Sequence, residues 1–368
     1  ETICILVGMM LLVAVIKNSG IFEYIAIKAA KIAKGRPWPI MVIFILITAV
    51  CSGMLDNVTT VLLVGPMTLA ITNILKVDPV PYIITQIMAS NIGGTATLIG
   101  DPPNIMIGSA AKLSFVDFIL NTGVATVFVI IVGLICMYFI YGRKLFVTDE
   151  SIAKVMQLDE NKAIKDRKLM HESVIVIILV ALCFIFHDQL GVQSCTVAIA
   201  AACIMLLIGG QEPEEIIADV EWPTILFFIG LFIVVGGMKK VGVITMLANG
   251  LISITHGNMV VTMMVILWVS AIVSSFLDNI PFVATLIPMI LTMQSEGMDV
   301  APIWWALSLG ACLGGNGTLI GASANVVLSG ISKNNGHPIT FGQYFKIGFP
   351  MMILSIIVCS VFLLVRFA

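Results

Sequence analysis

Shifted by about 222 residues, the chain matches itself, and this repeat narrows its fold more than any other feature. Asp56-Asn57 in SGMLDNVTTVLLVGPM (52–67) falls on Asp278-Asn279 in SSFLDNIPFVATLIPM (274–289), and Pro66-Met67 falls on Pro288-Met289. IGGTATLIGDPPN (92–104) falls on LGGNGTLIGASAN (313–325), and Lys17 and Gly20 fall on Lys239 and Gly242. LSFVDF (113–118) is matched more loosely by ITFGQY (339–344). The repeats are therefore 1–147 and 222–368, joined by a linker over 148–221.

Both copies lie in strongly apolar sequence. The 368 residues are 59% hydrophobic and 11% charged, with a mean hydropathy of +1.10. A soluble domain carries about 25% charged residues. Here apolar runs recur at close to the roughly 20 residues that a spanning helix needs. The expected class is an all-α polytopic membrane protein. The first residues already lie in an apolar run with no charged flank and no cleavable leader, so upstream sequence is expected. A net charge of −2 gives no footprint for nucleic acid.

Within repeat 1 the pattern predicts a helix over 2–16 and a lysine-bearing amphipathic segment over 21–35. Two apolar stretches, 38–53 and 59–75, meet at Asp56-Asn57. Each is short for a full crossing, which predicts a re-entrant hairpin over about 38–76, with its counterpart over about 258–296. The Gly/Pro-interrupted segment 81–112 reads as a broken helix, matched by 302–335. Unwound backbone at membrane depth is tolerated only where it is buried or lines a cavity. A full span is predicted over 118–142, and the linker adds spans over 172–188 and 193–210. Five crossings from one repeat's start to the next, or seven if the hairpin arms are full spans, are both odd and make the repeats inverted. That topology leaves Lys112, Lys239, Lys240 and Arg366 on one side and the other 15 of the 19 basic residues opposite. The positive-inside rule makes the rich side, with loops 17–37 and 143–171, cytoplasmic.

Inverted repeats with a broken segment in each half point to a secondary transporter with its site at mid-membrane. Half-helix N-termini attract anions, while carbonyls and carboxylates coordinate cations. The candidate ligands are Asp56, Asn57, Thr59 and Thr60 at the first tip, and Asp278 and Asn279 at the second. The breaks add Asn91, Gly93, Thr95, Thr97, Asp101 and Asn104, then Asn316, Thr318, Ser323 and Asn325. Oxygen donors dominate, which favours a hard cation, a proton or a small solute. Sodium or a proton is the expected coupling ion, with no other cofactor or metal. Two duller roles stand beside this one: Asp56 and Asp278 as helix N-caps, and the glycines as close-packing positions. The repeats also differ. Asp101-Pro102-Pro103 matches Ala322-Ser323-Ala324, and Thr59-Thr60 matches Pro281-Phe282, so an extra carboxylate belongs to the first half alone.

The eight cysteines are scattered singly and the four histidines, His171, His187, His256 and His337, fall at segment ends, so they read as packing and interfacial residues. No Gly-rich nucleotide loop, nucleophile–base pair or metal motif suggests an ATP-driven pump or an enzyme.

DNVTT with IGGTATLIGDPPN, and SSFLDNIPF with GACLGGNGTLIGASANVV (310–327), resemble the ion transporter superfamily. The likeness is to the branch holding arsenite permeases, NhaD-type sodium/proton antiporters and the melanosomal P protein. WPTILFFIGLF (222–232) and FKIGFPMM (345–352) extend it over nearly the whole chain. The resemblance implies a homodimer in plasma, inner or organelle membrane, with a scaffold and a mobile transport domain working as an elevator. It also implies a small ion or anion as substrate, carried in a proton- or sodium-coupled, antiporter-like cycle with Asp56 and Asp278 at the site. Sodium/dicarboxylate members carry Ser-Asn-Thr at the tips, where this chain has Asp56-Asn57-Val58 and Asp278-Asn279-Ile280. Dicarboxylate or other organic anion uptake, arsenite efflux and a channel-like anion conductance are the alternatives.

Overall fold

The structure, a computed structural model, describes residues 2–255 and 257–368; Glu1, His256 and the side chains of residues 187–190, 244, 251 and 254 lie outside the described residues. Among these residues it is helical throughout, without strands. In the first half α1 (Thr2–Lys17) turns through 67° into α2 (Ile21–Ile32). The bend is at Gly20, whose φ of 80° suits glycine; a Cβ there would also lie 2.1 Å from the Ala163 carbonyl oxygen. Next come α3 (Pro37–Met54), α4 (Asn57–Leu75), α5 (Val80–Thr95) and α6 (Pro102–Ala111). Pro37 opens α3 and Pro102-Pro103 open α6, positions where the missing N–H costs nothing.

A capping box between Ser114 and Asp117 starts α7 (Phe115–Phe118). It continues through a π turn at Ile119–Gly123 into α8 (Val124–Ile140), forming one long span. The middle of the chain holds α9 (Asp149–Met156), α10 (Arg167–Leu190), α11 (Ser194–Ile208) and α12 (Pro213–Ala218). The second half runs α13 (Trp222–Lys240), α14 (Val243–Thr255), α15 (Met259–Phe276), α16 (Asn279–Ser295), α17 (Ala301–Gly314), α18 (Ser323–Asn334) and α19 (Phe341–Phe367).

Seven of these helices are long and apolar enough to cross a bilayer, or eight if α1 and α2 form one bent span. The protein is a multi-pass integral membrane protein. One expectation needs correcting. The stretches meeting at Asp56-Asn57 are not short: α3 has 18 residues and α4 has 19. At about 1.5 Å per residue they reach about 27–29 Å, just under a hydrocarbon core of roughly 30 Å, and both lengths lie within the roughly 17–25 residues of spanning helices. Pro37 begins α3 one residue early, and the Asp56 cap begins α4 two residues earlier than its apolar run.

The core is organised around α5 and α17, buried along almost their whole length. α3 packs on α5 as α15 packs on α17, and glycine permits both approaches. A Cβ on Gly93 would lie 2.1 Å from the Ala49 carbonyl oxygen, and one on Gly314 would lie 2.7 Å from that of Ala271. Segment 143–171 is folded as a strap against the first half, with α9 on α2 and α4. The Ser19 carbonyl accepts from the Lys165 amide, and Lys31 pairs with Glu160 at 2.6 Å.

A carboxylate between two helix breaks as the candidate functional site

Each break needs something to satisfy the carbonyls at the end of the helix it interrupts. At the first, the Asn104 amide nitrogen on α6 donates back to the carbonyls of Thr95 (3.1 Å) and Thr97 (2.9 Å), with Gly94 at 3.4 Å. At the second, Asn325 on α18 donates to the carbonyls of Gly315 (2.7 Å) and Thr318 (2.8 Å). The supporting bonds recur too. Ser52 donates to the Ser90 carbonyl and Ser274 to that of Ala311, both at 2.7 Å. Thr97 donates to the Gly53 carbonyl and Thr318 to that of Ser275.

The side-chain oxygens of the two bracketing asparagines face the opposite half. Asn104 Oδ1 accepts from Ser308 on α17 (2.6 Å), with the Cys312 thiol at 3.5 Å. Asn325 Oδ1 accepts from Asn91 on α5 (2.8 Å), whose amide also reaches Asn316 Oδ1 (2.9 Å). Asn104 and Asn325 are thus spent on structure, tying each break to itself and to its counterpart.

Asp101 occupies the centre and is fully buried. Asn57, at the start of α4, donates to its Oδ1 at 3.2 Å. Asn279, at the start of α16, spans both carboxylate oxygens at 3.3 Å. One carboxylate therefore collects an amide from each half. Asp278 and Asp56 lie close enough to interact with it electrostatically. Asn57 stands 3.5 Å from Asn91 Oδ1, which joins the carboxylate to the asparagine cluster.

The structure thus brings Asn57, Asn91, Asp101, Asn104, Asn279, Asn316 and Asn325 into one buried network. The remaining candidates support it from the side. Asp56 caps α4, accepting from the Thr59 amide (2.8 Å) and the Thr59 hydroxyl. Asp278 caps α16 through the Ile280 amide and accepts from Ser323, both at 3.0 Å, tying the second junction to the second break. Thr95 back-bonds to the Asn91 carbonyl. Gly93 acts by close approach and offers no side chain, while Thr60 Oγ1 has no partner among the described residues.

Sequence reasoning passed over Ser52, Ser308 and Cys312. A signal for Cys312 existed: it falls on Asn91 in the repeat alignment, so it occupies a site position. Among the described residues no three His, Cys, Asp or Glu side chains gather as a metal cluster. The donor set is amide, carboxylate and hydroxyl oxygen, suited to hard cations and protons.

An all-helical polytopic chain with two broken helices closing over a buried carboxylate has the build of a membrane transporter. The citrate transporter family profile matches residues 1–310, and the chain belongs to this family. It is 43% identical to an uncharacterized transporter of Mycobacterium tuberculosis, over 100% of this chain and 86% of that protein. It is 32% identical to the human P protein and 34% identical to that of the pig, over 99% of this chain and 53% of each.

Proposed function

We propose that this chain is a secondary active transporter of a small anion, coupled to protons or sodium through Asp101. The observation that carries the reading is the convergence of Asn57 and Asn279 on that one carboxylate. A group held jointly by both halves is placed to report its protonation or cation occupancy to both.

Electrostatics favours coupling. An ionised carboxylate at the bilayer centre costs at least about 2.5–3.5 kcal/mol. Asp101 has two more carboxylates nearby, and among the described residues none of the bonds to these groups comes from Lys, Arg or His. A carboxylate-bearing substrate, as the family description suggests, could share this site only with protons or cations neutralising the charge. The helix starts at α4, α6, α16 and α18 would then supply the anion-attracting N–H groups.

The recurrent bonds support the division into repeats 1–147 and 222–368, and the odd number of crossings supports their inversion. On this reading α3–α4 and α15–α16 act as hairpins and the breaks move with them in an elevator cycle, within a homodimer whose lysine-rich face is cytoplasmic. Reconstitution tests the core of the proposal. Protein in liposomes should accumulate labelled citrate or a related small anion under an imposed pH or sodium gradient, and Asp101→Asn should abolish accumulation while the protein stays folded. Wild-type accumulation by folded Asp101→Asn would sink it.

A further inference from the structure

Below the Asp101 network lies a second set of buried polar side chains that the transport reading leaves unused. On α4 they are Thr60, Thr68 and Thr72, which share one helical face with Asn57, since their spacings are close to whole turns. On α5 they are Gln86 and Ser90, four residues apart. All five are 1% exposed or less.

Gln86 is the informative one. Its Nε2 donates to Thr68 Oγ1 at 2.5 Å, and the Thr68 hydroxyl donates to the Val64 carbonyl at 2.9 Å. With the Thr68 hydrogen committed to Val64, only the NH₂ end of Gln86 can meet that hydroxyl, so the amide orientation is fixed. Oε1 of Gln86 is left without a donor, as is the Thr60 hydroxyl, among the described residues. Unpaired polar atoms buried in a helix interface weaken a fold unless something else satisfies them. At its upper end the set joins the site: Ser90 donates to the Asn57 carbonyl at 3.0 Å, and Asn57 donates to Asp101 at 3.2 Å. At its lower end lies the exposed α4–α5 turn with Lys76 and Asp78.

The second half shows that the fold does not require this chemistry. Four of the five have apolar counterparts: Thr60, Thr68, Gln86 and Ser90 match Phe282, Ile290, Leu307 and Ala311, while Thr72 matches Gln294, which is exposed. The same interface is packed with carbon on one side of the repeat and carries unpaired oxygen on the other. We infer that the α4–α5 interface is a one-sided hydration path, admitting water and protons between Asp101 and the membrane face that holds Lys76 and Asp78. Neutral groups that accept and donate, without a fixed charge to trap an ion, suit that role. Its use rests on the reading of Asp101 as the coupling group; its existence does not.

Two measurements separate these. Gln86→Cys and Leu307→Cys would be labelled in liposomes with a small membrane-impermeant methanethiosulfonate, with site-resolved mass spectrometry to set the native cysteines aside. Gln86→Cys should react at least tenfold faster than Leu307→Cys, and only with reagent on the Lys76 side. Equal labelling, or none at position 86, overturns the path whatever Asp101 does. Gln86→Leu, which copies the second half, should slow proton-driven uptake about tenfold and leave substrate affinity unchanged. Unchanged uptake would remove the path from the transport cycle.

Discussion

The α3–α4 and α15–α16 junctions carry the same Leu-Asp-Asn sequence in opposite surroundings. Leu55 is 5% exposed, beneath α1 and α10, where it lines a small cavity with Met9, Leu12, Val180 and Phe184. Leu277 is 57% exposed, and the preceding Phe276 and nearby Ile320 are exposed too. The covering helices differ alike: α1 is mostly buried, while its counterpart α13 buries only Ile225, Phe228 and Val235 among its described residues. The covered half is also the one that owns Asp101. A motif copied twice thus forms two unlike walls, one covered and beside the charge, the other exposed.

The sharpest way to break this comparison is to move the charge. Asp101→Asn should lower gradient-driven uptake by at least about 100-fold, equivalent to about 2.7 kcal/mol. Its thermal stability should hold, because an amide oxygen still accepts from Asn57 or Asn279. Ala322→Asp places a carboxylate at the matching position, where it should destabilise the protein by about 2.5–3.5 kcal/mol without restoring uptake to Asp101→Asn. Rescue by the double variant would mean that the two half-sites are interchangeable.

Next in size are the glycine contacts. Gly93→Ala drives a methyl group into the Ala49 carbonyl and Gly314→Ala into that of Ala271, the former about half an ångström closer. Each should cost about 1–3 kcal/mol or more by overpacking, and Gly93→Ala should be the worse in a thermal-unfolding assay in detergent. The reverse order would show that the second interface is the rigid one.

Much of this was legible in sequence, for a physical reason. Close helix approach demands glycine and a broken helix demands an internal amide, so Gly93, Gly314, Asn104 and Asn325 are forced choices that survive in both repeats. Asp101 was legible only as an asymmetry. That it lies between Asn57 and Asn279 depends on contacts between residues 178 apart, which no local pattern encodes. Asp56 and Asp278 read in sequence both as ligands and as caps, because the two roles look alike and can coexist; the structure adds that they accept from the Thr59 and Ile280 amides. The strap over 143–171 had no signature, since its contacts are single surface pairs and turns.

The asparagine pair gives a finer test. Asn57→Ala and Asn279→Ala should each reduce coupled uptake about tenfold, near the 1–3 kcal/mol of a lost buried partner. The double variant should fall well short of the product, because both act on one carboxylate. Full additivity would separate the two walls. Smaller still, Cys312→Asn copies Asn91 onto the second half; it should shift the pH at which uptake is half-maximal with little change in maximal rate, whereas a purely packing role would leave that midpoint in place.

The smallest effect concerns the strap, which only the first half wears. Lys31 lies 2.6 Å from Glu160 outside the membrane and holds that carboxyl below its ordinary value of 4.5, chiefly by direct hydrogen bonding. A carboxyl depressed in the folded state stabilises it above the unfolded value, and that contribution is lost as pH falls through the folded one. The strap should therefore stay docked at neutral pH and loosen only in acid below about 4.5. Both partners are partly exposed, so the effect on global stability should be slight. Hydrogen exchange resolves it locally: amides 158–166 should exchange faster at pH 4 than at pH 7 after correction for intrinsic rates, and Glu160→Gln should show the fast rate at pH 7. If Glu160→Gln exchanges like the wild type at both pH values, the ion pair contributes nothing to holding the covered half closed, and the backbone bonds to Ser19 carry the strap.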